Sequence, residues 1–325
     1  MTNNSRVTDI SDETAARAAS SSAQNIPGET PTPGELQARA VLFARAARAH
    51  IIARRNELGT DGVLAATETK SSTVDPVTVV DRESEELIRS LIKTFGSTDR
   101  IVGEEGGLDD GASHHDSTTD TGAEVTWIVD PIDGTVSFLY GVPNFAVSIG
   151  CAIGNEIVAG AVANVATGEI YSAAKGEGAT VERLDGSVRK LRCSGTSELE
   201  KTLVATGFSY SSEIRQVQGS VVSQLIGQCR DIRRMGSAAL DLCMVAAGVV
   251  DAYYEHDIKI WDYAAGSVIA SEAGAKVRVP EFGQCANSAG RPEGNPLDFG
   301  VSAANDAIAE DFFAAMDAAV AQARQ

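Results

Sequence analysis

The sequence predicts a layered α/β protein with a mixed β-sheet, and three patterns support this. Apolar residues recur at helical spacing from Glu35 to about Leu58. Between residues 125 and 174, short apolar runs are separated by Gly154-Asn155 and Thr167-Gly168, which are typical hairpin turns. After residue 236 helical patterns dominate again. This order differs from the strict strand–helix alternation of a doubly wound parallel sheet.

Each predicted element has its own local signal. The first helix ends near Gly59, and a second over residues 81–94 has Asp81 placed to cap its start. An apolar run from Val125 to Val129 predicts a strand, and the hairpin turns predict antiparallel neighbours. The remaining predictions are helices at 237–247, 263–273 and 306–322, a strand at 252–255, and a loop at 281–296.

Composition divides the chain into a tail and one domain. Residues 1–34 are rich in Ser, Thr, Asn, Gly and Pro, which predicts a disordered N-terminal tail. Residues 35–325 form the predicted domain, and the polar stretch 108–124 is predicted to be a surface loop. The role of the tail and of this loop stays open.

Charge and hydropathy exclude several classes of function. The formal net charge is −18, which argues against nucleic acid as a partner. No apolar run reaches the roughly 18 residues of a membrane span, and the N-terminus lacks the pattern of a secretory signal. The five scattered cysteines form no C-x-x-C pair. We therefore expect a cytoplasmic protein with reduced thiols.

Three acidic motifs carry the predicted chemistry: Gly103-Glu104-Glu105, Asp130-Pro-Ile-Asp133-Gly-Thr135 and Trp261-Asp262. Each places a carboxylate at a strand end or helix start, where sites form. Asp81 is a fourth candidate. A cluster of carboxylates without Cys or His selects hard cations such as Mg²⁺.

The segment from Asp130 to Thr135 combines two functions. The proline between the aspartates stiffens the turn, so that both carboxylates and the Ile132 carbonyl can face one point. Gly134-Thr135 then begins a predicted helix, whose free N–H groups can bind phosphate. Metal ligands and a phosphate cradle are thus adjacent, and no P-loop, H-E-x-x-H or G-x-S-x-G motif competes.

These motifs, together with Lys70–Asp81 and Arg234–Gly248, resemble in order and spacing the inositol monophosphatase family of Mg²⁺-dependent, Li⁺-sensitive phosphatases, in its bacterial SuhB-type branch. The resemblance covers about residues 36 to 320. It implies an α-β-α-β-α layered sandwich of the inositol monophosphatase and fructose-1,6-bisphosphatase type, and a homodimer. Ser137 stands where the family commonly has Asn, and we expect a supporting role for it.

The resemblance also implies the roles of individual residues. Glu104, Asp130 and the Ile132 carbonyl would hold one Mg²⁺, and Asp130, Asp133 and Asp262 a second, with Glu104 facing a third. Glu104 and Thr135 would orient the attacking water, with Asp81 behind Thr135. The implied substrate and phosphate contacts are Asp133, Gly134, Thr135, Gly236, Ser237, Ala238, Glu255 and Asp262, with Lys70 and Glu105 at the edge of the site.

The expected reaction is hydrolysis of inositol 1-phosphate to myo-inositol and phosphate by metal-activated water. Glu255 suits a neutral polyol, whose hydroxyls donate hydrogen bonds, and suits a second phosphate poorly. The same carboxylate would attract an amine, so histidinol phosphate is the alternative substrate. A non-catalytic regulatory binding protein is a further alternative.

Overall fold

The computed structural model describes residues 30–58, 68–69, 76–96, 98–111, 124–287 and 289–325. The predicted tail up to residue 29, most of the predicted loop at 108–124, and Lys70 lie outside the described residues. The first helix begins at Pro33, two residues before Glu35. Thr32 and Glu35 form its cap, because the Thr32 N–H donates to the Glu35 carboxylate at 2.8 Å.

Eight α-helices are described, and they account for the helical predictions with small shifts of their ends. Their bounds are α1 Pro33–Leu58, α2 Val79–Phe95, α3 Thr135–Tyr140, α4 Ser212–Leu225, α5 Ala238–Ala246, α6 Ile260–Glu272, α7 Phe282–Cys285 and α8 Ala309–Ala323.

Fifteen strands are described, of which β1 (Glu68–Thr69) and β2 (Pro76–Val77) form a small antiparallel pair. A large sheet has the order β10-β9-β8-β7-β6-β5-β3-β4 and is antiparallel except where β3 pairs with β5. Its strands are β3 Arg100–Gly103, β4 Gly107–Asp109, β5 Val125–Asp133, β6 Ala146–Ile153, β7 Glu156–Asn164, β8 Ile170–Ala174, β9 Gly178–Glu182 and β10 Val188–Lys190.

A smaller mixed sheet has the order β12-β11-β13-β15-β14, with β11 parallel to both of its neighbours. Its strands are β11 Leu203–Thr206, β12 Asp231–Arg233, β13 Ala252–His256, β14 Ala275–Arg278 and β15 Gly300–Asn305.

The helices and sheets stack as five layers. Helices α1 and α2 cover one face of the large sheet, α5 and α6 fill the space between the sheets, and α4 and α8 cover the far face of the small sheet. Three apolar cores fill the spaces between the layers, and one of them extends over both sides of the inner helices α5 and α6. The α-β-α-β-α arrangement expected from the resemblance is confirmed.

Close packing of α6 on the large sheet fixes the position of its first turn. A Cβ on Gly160 would lie 2.7 Å from the Ala265 Cα, and one on Gly150 would lie 2.8 Å from the Ala264 Cβ. The two glycines of β6 and β7 therefore let the helix backbone approach the sheet directly. This approach holds Asp262, in the first turn of α6, near the end of the large sheet.

Several predicted element bounds shifted, and the predicted loop at 281–296 contains helix α7. Two of the wrong boundaries lie at the site. Helix α2 starts after Thr78, which caps it, and Asp81 is its third residue. Strand β5 continues past Val129 to Asp133. No helix in the described part of the chain is long and apolar enough to cross a membrane.

Candidate active site

Strand β5 ends in an irregular segment that carries two aspartates. Its pairing with β6 shifts register between Asp130 and Asp133, and the Ile132 N–H donates to Asp130 Oδ1 at 2.9 Å. A bulge of this kind redirects side chains at a sheet end. Here it turns both carboxylates towards one cleft.

Asp262 joins these two carboxylates from another part of the chain. One oxygen from each of Asp130, Asp133 and Asp262 can be chosen so that all three lie within 4.8 Å of one another. Asp262 is held in the first turn of α6, where its Oδ2 accepts the Lys259 N–H at 2.6 Å. Three buried or half-buried carboxylates at this separation fit one or two hard cations.

The electrostatics of the cluster also fit a cation. Burial raises the pKa of Asp133 to about 7, although hydrogen bonds from Ser237 and the Ala239 N–H oppose the shift. Burial, and then the neighbouring charges of Asp133 and Glu104, raise the pKa of Asp262 to about 8. Crowded carboxylates resist ionisation until a positive charge joins them, so a bound metal would compensate for the repulsion.

Glu104 and Thr135 lie beside the three aspartates in the lining of the cleft. Glu104 directly follows β3, and its N–H donates to the Val129 carbonyl at 3.2 Å. The Thr135 hydroxyl lies 3.1 Å from the Ile132 carbonyl oxygen and 3.3 Å from Asp81 Oδ1. It has one proton, so it can donate to only one of them at a time.

Glu105 is held outside the lining of the cleft, since its N–H donates to Glu85 Oε2 at 2.8 Å. Lys70, the other residue expected at the edge of the site, lies outside the described residues.

Two glycines let two turns meet beside the aspartates. Gly134 and Gly236 have φ angles of 91° and 97°, which favour glycine. A Cβ on Gly134 would lie 2.9 Å from the Gly236 carbonyl oxygen, so a side chain would also clash. The N-terminus of α3 and the turn before α5 can therefore both face the cleft.

The turn before α5 differs from expectation at one residue. Ala238 lines the cleft, but Ser237 is buried and its hydroxyl donates to Asp133 Oδ2 at 2.6 Å. The Ala239 N–H donates to the same oxygen at 2.7 Å. Ser237 thus orients a carboxylate and does not line the pocket, because its side chain also caps α5.

The cleft has a volume of about 970 Å³, and Glu255 forms part of its lining. The Tyr253 hydroxyl donates to Glu255 Oε2 at 2.9 Å, and burial raises the pKa of Glu255 to about 7. Gly207 packs directly against this carboxylate, since a Cβ there would lie 2.1 Å from Oε2. Neither Tyr253 nor Gly207 was predicted as a site residue.

Four cationic side chains at the cleft were also missed. They are Arg215, Arg234, Lys259 and Arg291. Lys259 and Arg291 both pair with Asp257, whose φ of 65° is unusual for a non-glycine residue. These side chains place positive charge at the cleft even though the chain is strongly acidic. Arg234 stood within a predicted motif, but no local pattern marked the other three.

Comparison with known proteins finds relatives that cover most of the chain. An inositol-1-monophosphatase SuhB from Mycobacterium tuberculosis is 44% identical over 242 residues, which are 74% of this chain and 80% of the relative. A Nus factor SuhB from Pseudomonas aeruginosa is 39% identical over 62% of this chain and 72% of the relative.

The solved structure of Mycobacterium tuberculosis SuhB superposes with a TM-score of 0.70 at 42% identity, over 89% of this chain and 98% of that one. The model of the inositol monophosphatase family matches residues 35–319. The chain therefore belongs to the inositol monophosphatase family, a family of metal-dependent phosphatases.

Proposed function

We propose that this protein hydrolyses inositol 1-phosphate in a Mg²⁺-dependent reaction. The observation that carries the proposal is the convergence of Asp130, Asp133 and Asp262 within 4.8 Å, in a cleft that also contains Glu255. The carboxylates supply a site for hard cations, and Glu255 supplies an acceptor for the hydroxyls of a polyol.

The proposed metal ligands are Glu104, Asp130, Asp133, Asp262 and the carbonyl of Ile132, which together would hold two or three Mg²⁺ ions. When bound, such ions lower the pKa of water and stabilise the leaving alkoxide. Carboxylate and carbonyl oxygens are the donors that Mg²⁺ prefers. The donor set of the cleft fits this ion because it contains no Cys or His ligand among the described residues.

The chain's own groups would position the other reactants. Glu104 and Thr135 would orient the attacking water, and Asp81 would fix the Thr135 hydroxyl, 3.3 Å away. The N–H groups of Gly134 and Thr135 would bind phosphate oxygens. Gly236 and Ala238 would contact the alcohol part.

The cations at the cleft bear on the alternative substrates. Arg215, Arg234, Lys259 and Arg291 would disfavour the cationic amine of histidinol phosphate. The same cations would attract a second phosphate on the substrate, whereas the Glu255 carboxylate would repel it. Fructose 1,6-bisphosphate is therefore one of the substrates to be tested. One relative is named a Nus factor, so a non-catalytic regulatory role is the alternative from a different class of function.

Phosphate release by the purified protein tests the proposal. With Mg²⁺ we expect inositol 1-phosphate to be hydrolysed with a higher kcat/KM than histidinol phosphate or fructose 1,6-bisphosphate. Asp130→Asn should abolish turnover, whereas the matched control Asp306→Asn, at a side chain 73% exposed, should not. A preference for histidinol phosphate would overturn the substrate, and no hydrolysis of any monoester would support the regulatory role.

Three further expectations accompany this proposal. They are a homodimer, inhibition by Li⁺ and a cytoplasmic location. Light scattering, a Li⁺ titration of the phosphatase activity and cell fractionation would check them in turn.

A further inference from the structure

A second cavity lies behind the small sheet, between strands β13–β15 and helix α8. Its volume is about 410 Å³, within the range of small-molecule sites. It shares no lining residue with the catalytic cleft. One side is apolar, formed by Phe313, Met316 and Val320, and the other carries Tyr254, His256 and Arg324.

Side chains alternate between the two faces of β13, so the catalytic cleft and the second cavity lie on opposite sides of this strand. Glu255 faces the cleft, whereas its neighbours Tyr254 and His256 line the cavity. His256 is 5% exposed, and its Nδ1 contacts the Tyr254 hydroxyl. Burial, and then the charge of Arg324, lower the pKa of His256 to about 4, so the ring is neutral at pH 7.

The inner end of the cavity offers a hydrogen-bond donor. When the Tyr254 hydroxyl donates to Nδ1, the neutral ring of His256 carries its proton on Nε2. None of the described hydrogen bonds involves Nε2. Gly300 packs beside this atom, and a Cβ there would come within 2.9 Å of it. In this tautomer Nε2 is a donor that a ligand in the cavity can reach.

The mouth of the cavity carries two exchangeable ion pairs. Arg324 pairs with Asp298 at 2.7 Å and Arg278 pairs with Asp317 at 3.2 Å. All four side chains are at least 35% exposed, and pairs at such exposure contribute little stability. Either guanidinium can therefore exchange its partner for the anionic group of a ligand, and Arg324 is the one whose charge reaches His256.

We propose that this cavity binds a small monocarboxylate with an aromatic or aliphatic body. The body would pack on Phe313, Met316 and Val320, and the two carboxylate oxygens would accept from Arg324 and from His256 Nε2. A dianionic phosphate would need more donors than these two groups supply, and a cation would find Asp298 and Asp317 already paired with arginines. A fully polar molecule would leave the apolar wall without a partner.

Isothermal titration of the Mg²⁺-loaded enzyme with 3-phenylpropionate tests this site. We expect saturable binding of one molecule per chain that excess inorganic phosphate does not displace. Arg324→Gln should weaken it about tenfold through loss of a charge-assisted hydrogen bond. Ala321→Trp should weaken it similarly, because it places a large side chain in the cavity at an exposed position of α8.

The matched control is Arg189→Gln, an exposed arginine on the edge strand β10, which should bind like the wild type. Circular dichroism and unchanged phosphatase kcat would show that each variant is folded. Absence of saturable binding, equal affinity in all variants, or displacement by phosphate would each overturn the proposal.

Discussion

The Ser237 hydroxyl donates to Asp133 Oδ2 at 2.6 Å, which links the turn before α5 to the end of β5 across 104 positions of sequence. The Ala239 N–H donates to the same oxygen. One oxygen of Asp133 thus accepts two hydrogen bonds, whereas the other accepts none from the described residues and can face a metal. The geometry of the carboxylate cluster therefore depends on the inner layer of helices as well as on the large sheet.

Ser237→Ala should weaken Mg²⁺ activation without unfolding the protein. Loss of a hydrogen bond behind a metal ligand typically costs roughly tenfold or more in metal affinity or activity. The measurement is the Mg²⁺ concentration for half-maximal phosphatase activity. Ser267→Ala removes a buried hydroxyl that donates within α6, and it should leave this value unchanged. Equal Mg²⁺ dependence in both variants would contradict a positioning role for Ser237.

Mg²⁺ should raise the melting temperature more at pH 8 than at pH 6. Asp133 and Asp262 have folded-state pKa values raised to about 7 and about 8. The free energy that these two groups contribute to folding is fully present below their unfolded pKa of about 4. It is lost as the pH rises through their folded-state pKa values. At pH 8 the metal-free protein therefore carries uncompensated carboxylates, which Mg²⁺ neutralises.

At pH 6 protons already neutralise these two carboxylates and compete with the metal. Differential scanning fluorimetry with Mg²⁺ and with EDTA would measure the difference at both pH values. Asp133→Asn, which cannot ionise at this position, should show a smaller dependence on pH. A Mg²⁺ effect that is equal at the two pH values would show that these groups do not bind the ion.

Gly207→Ala should displace Glu255 and weaken substrate binding. The added methyl would lie 2.1 Å from Glu255 Oε2, so the carboxylate must move away from its position beside Tyr253. Loss of a hydrogen bond from substrate to a charged acceptor predicts a KM about tenfold higher or more. Since the metal ligands are untouched, kcat should change little.

Gly219→Ala is the control for this variant, because a Cβ on Gly219 in α4 meets no atom within 4 Å. It should leave KM and kcat at their wild-type values. If Gly207→Ala has a normal KM, Glu255 does not contact the substrate.

Local sequence patterns predicted the parts of the site that lie on short segments. Asp130 and Asp133 are three positions apart at one strand end, and Asp262 opens a helix, so each could be found from neighbouring residues. The hydrogen bond of Ser237 and the packing of Gly207 join residues that are far apart in sequence. Such contacts depend on how the layers stack, and no local pattern reports them.

The start of α2 could have been predicted correctly. Thr78-Val-Val-Asp81 has the spacing of a capping box, and this places the cap at Thr78. The strand end at Asp133 was harder, because a proline and a glycine close to it indicate a turn, whereas the irregular pairing with β6 keeps the segment in the sheet.

Thr78→Val and Asp81→Ala should separate the stability of α2 from catalysis. Thr78 accepts the N–H groups of Val80 and Asp81, and Asp81 Oδ2 accepts the Thr78 N–H at 3.0 Å. Loss of the Thr78 cap should lower the free energy of unfolding by about 1–2 kcal/mol and leave kcat near its wild-type value. Asp81→Ala removes part of the same cap and also one of the two acceptors beside the Thr135 hydroxyl. It should therefore lower both stability and kcat.

Urea unfolding and steady-state kinetics would compare the two variants. Because Thr135 is proposed to orient the attacking water, we expect Asp81→Ala to reduce kcat about tenfold, the lower end of the effect of a missing supporting group. Thr135→Val should show a loss of kcat at least as large. Equal kcat in Thr78→Val and Asp81→Ala would mean that Asp81 serves only the helix cap, and that the orientation of Thr135 depends on its 3.1 Å contact with the Ile132 carbonyl.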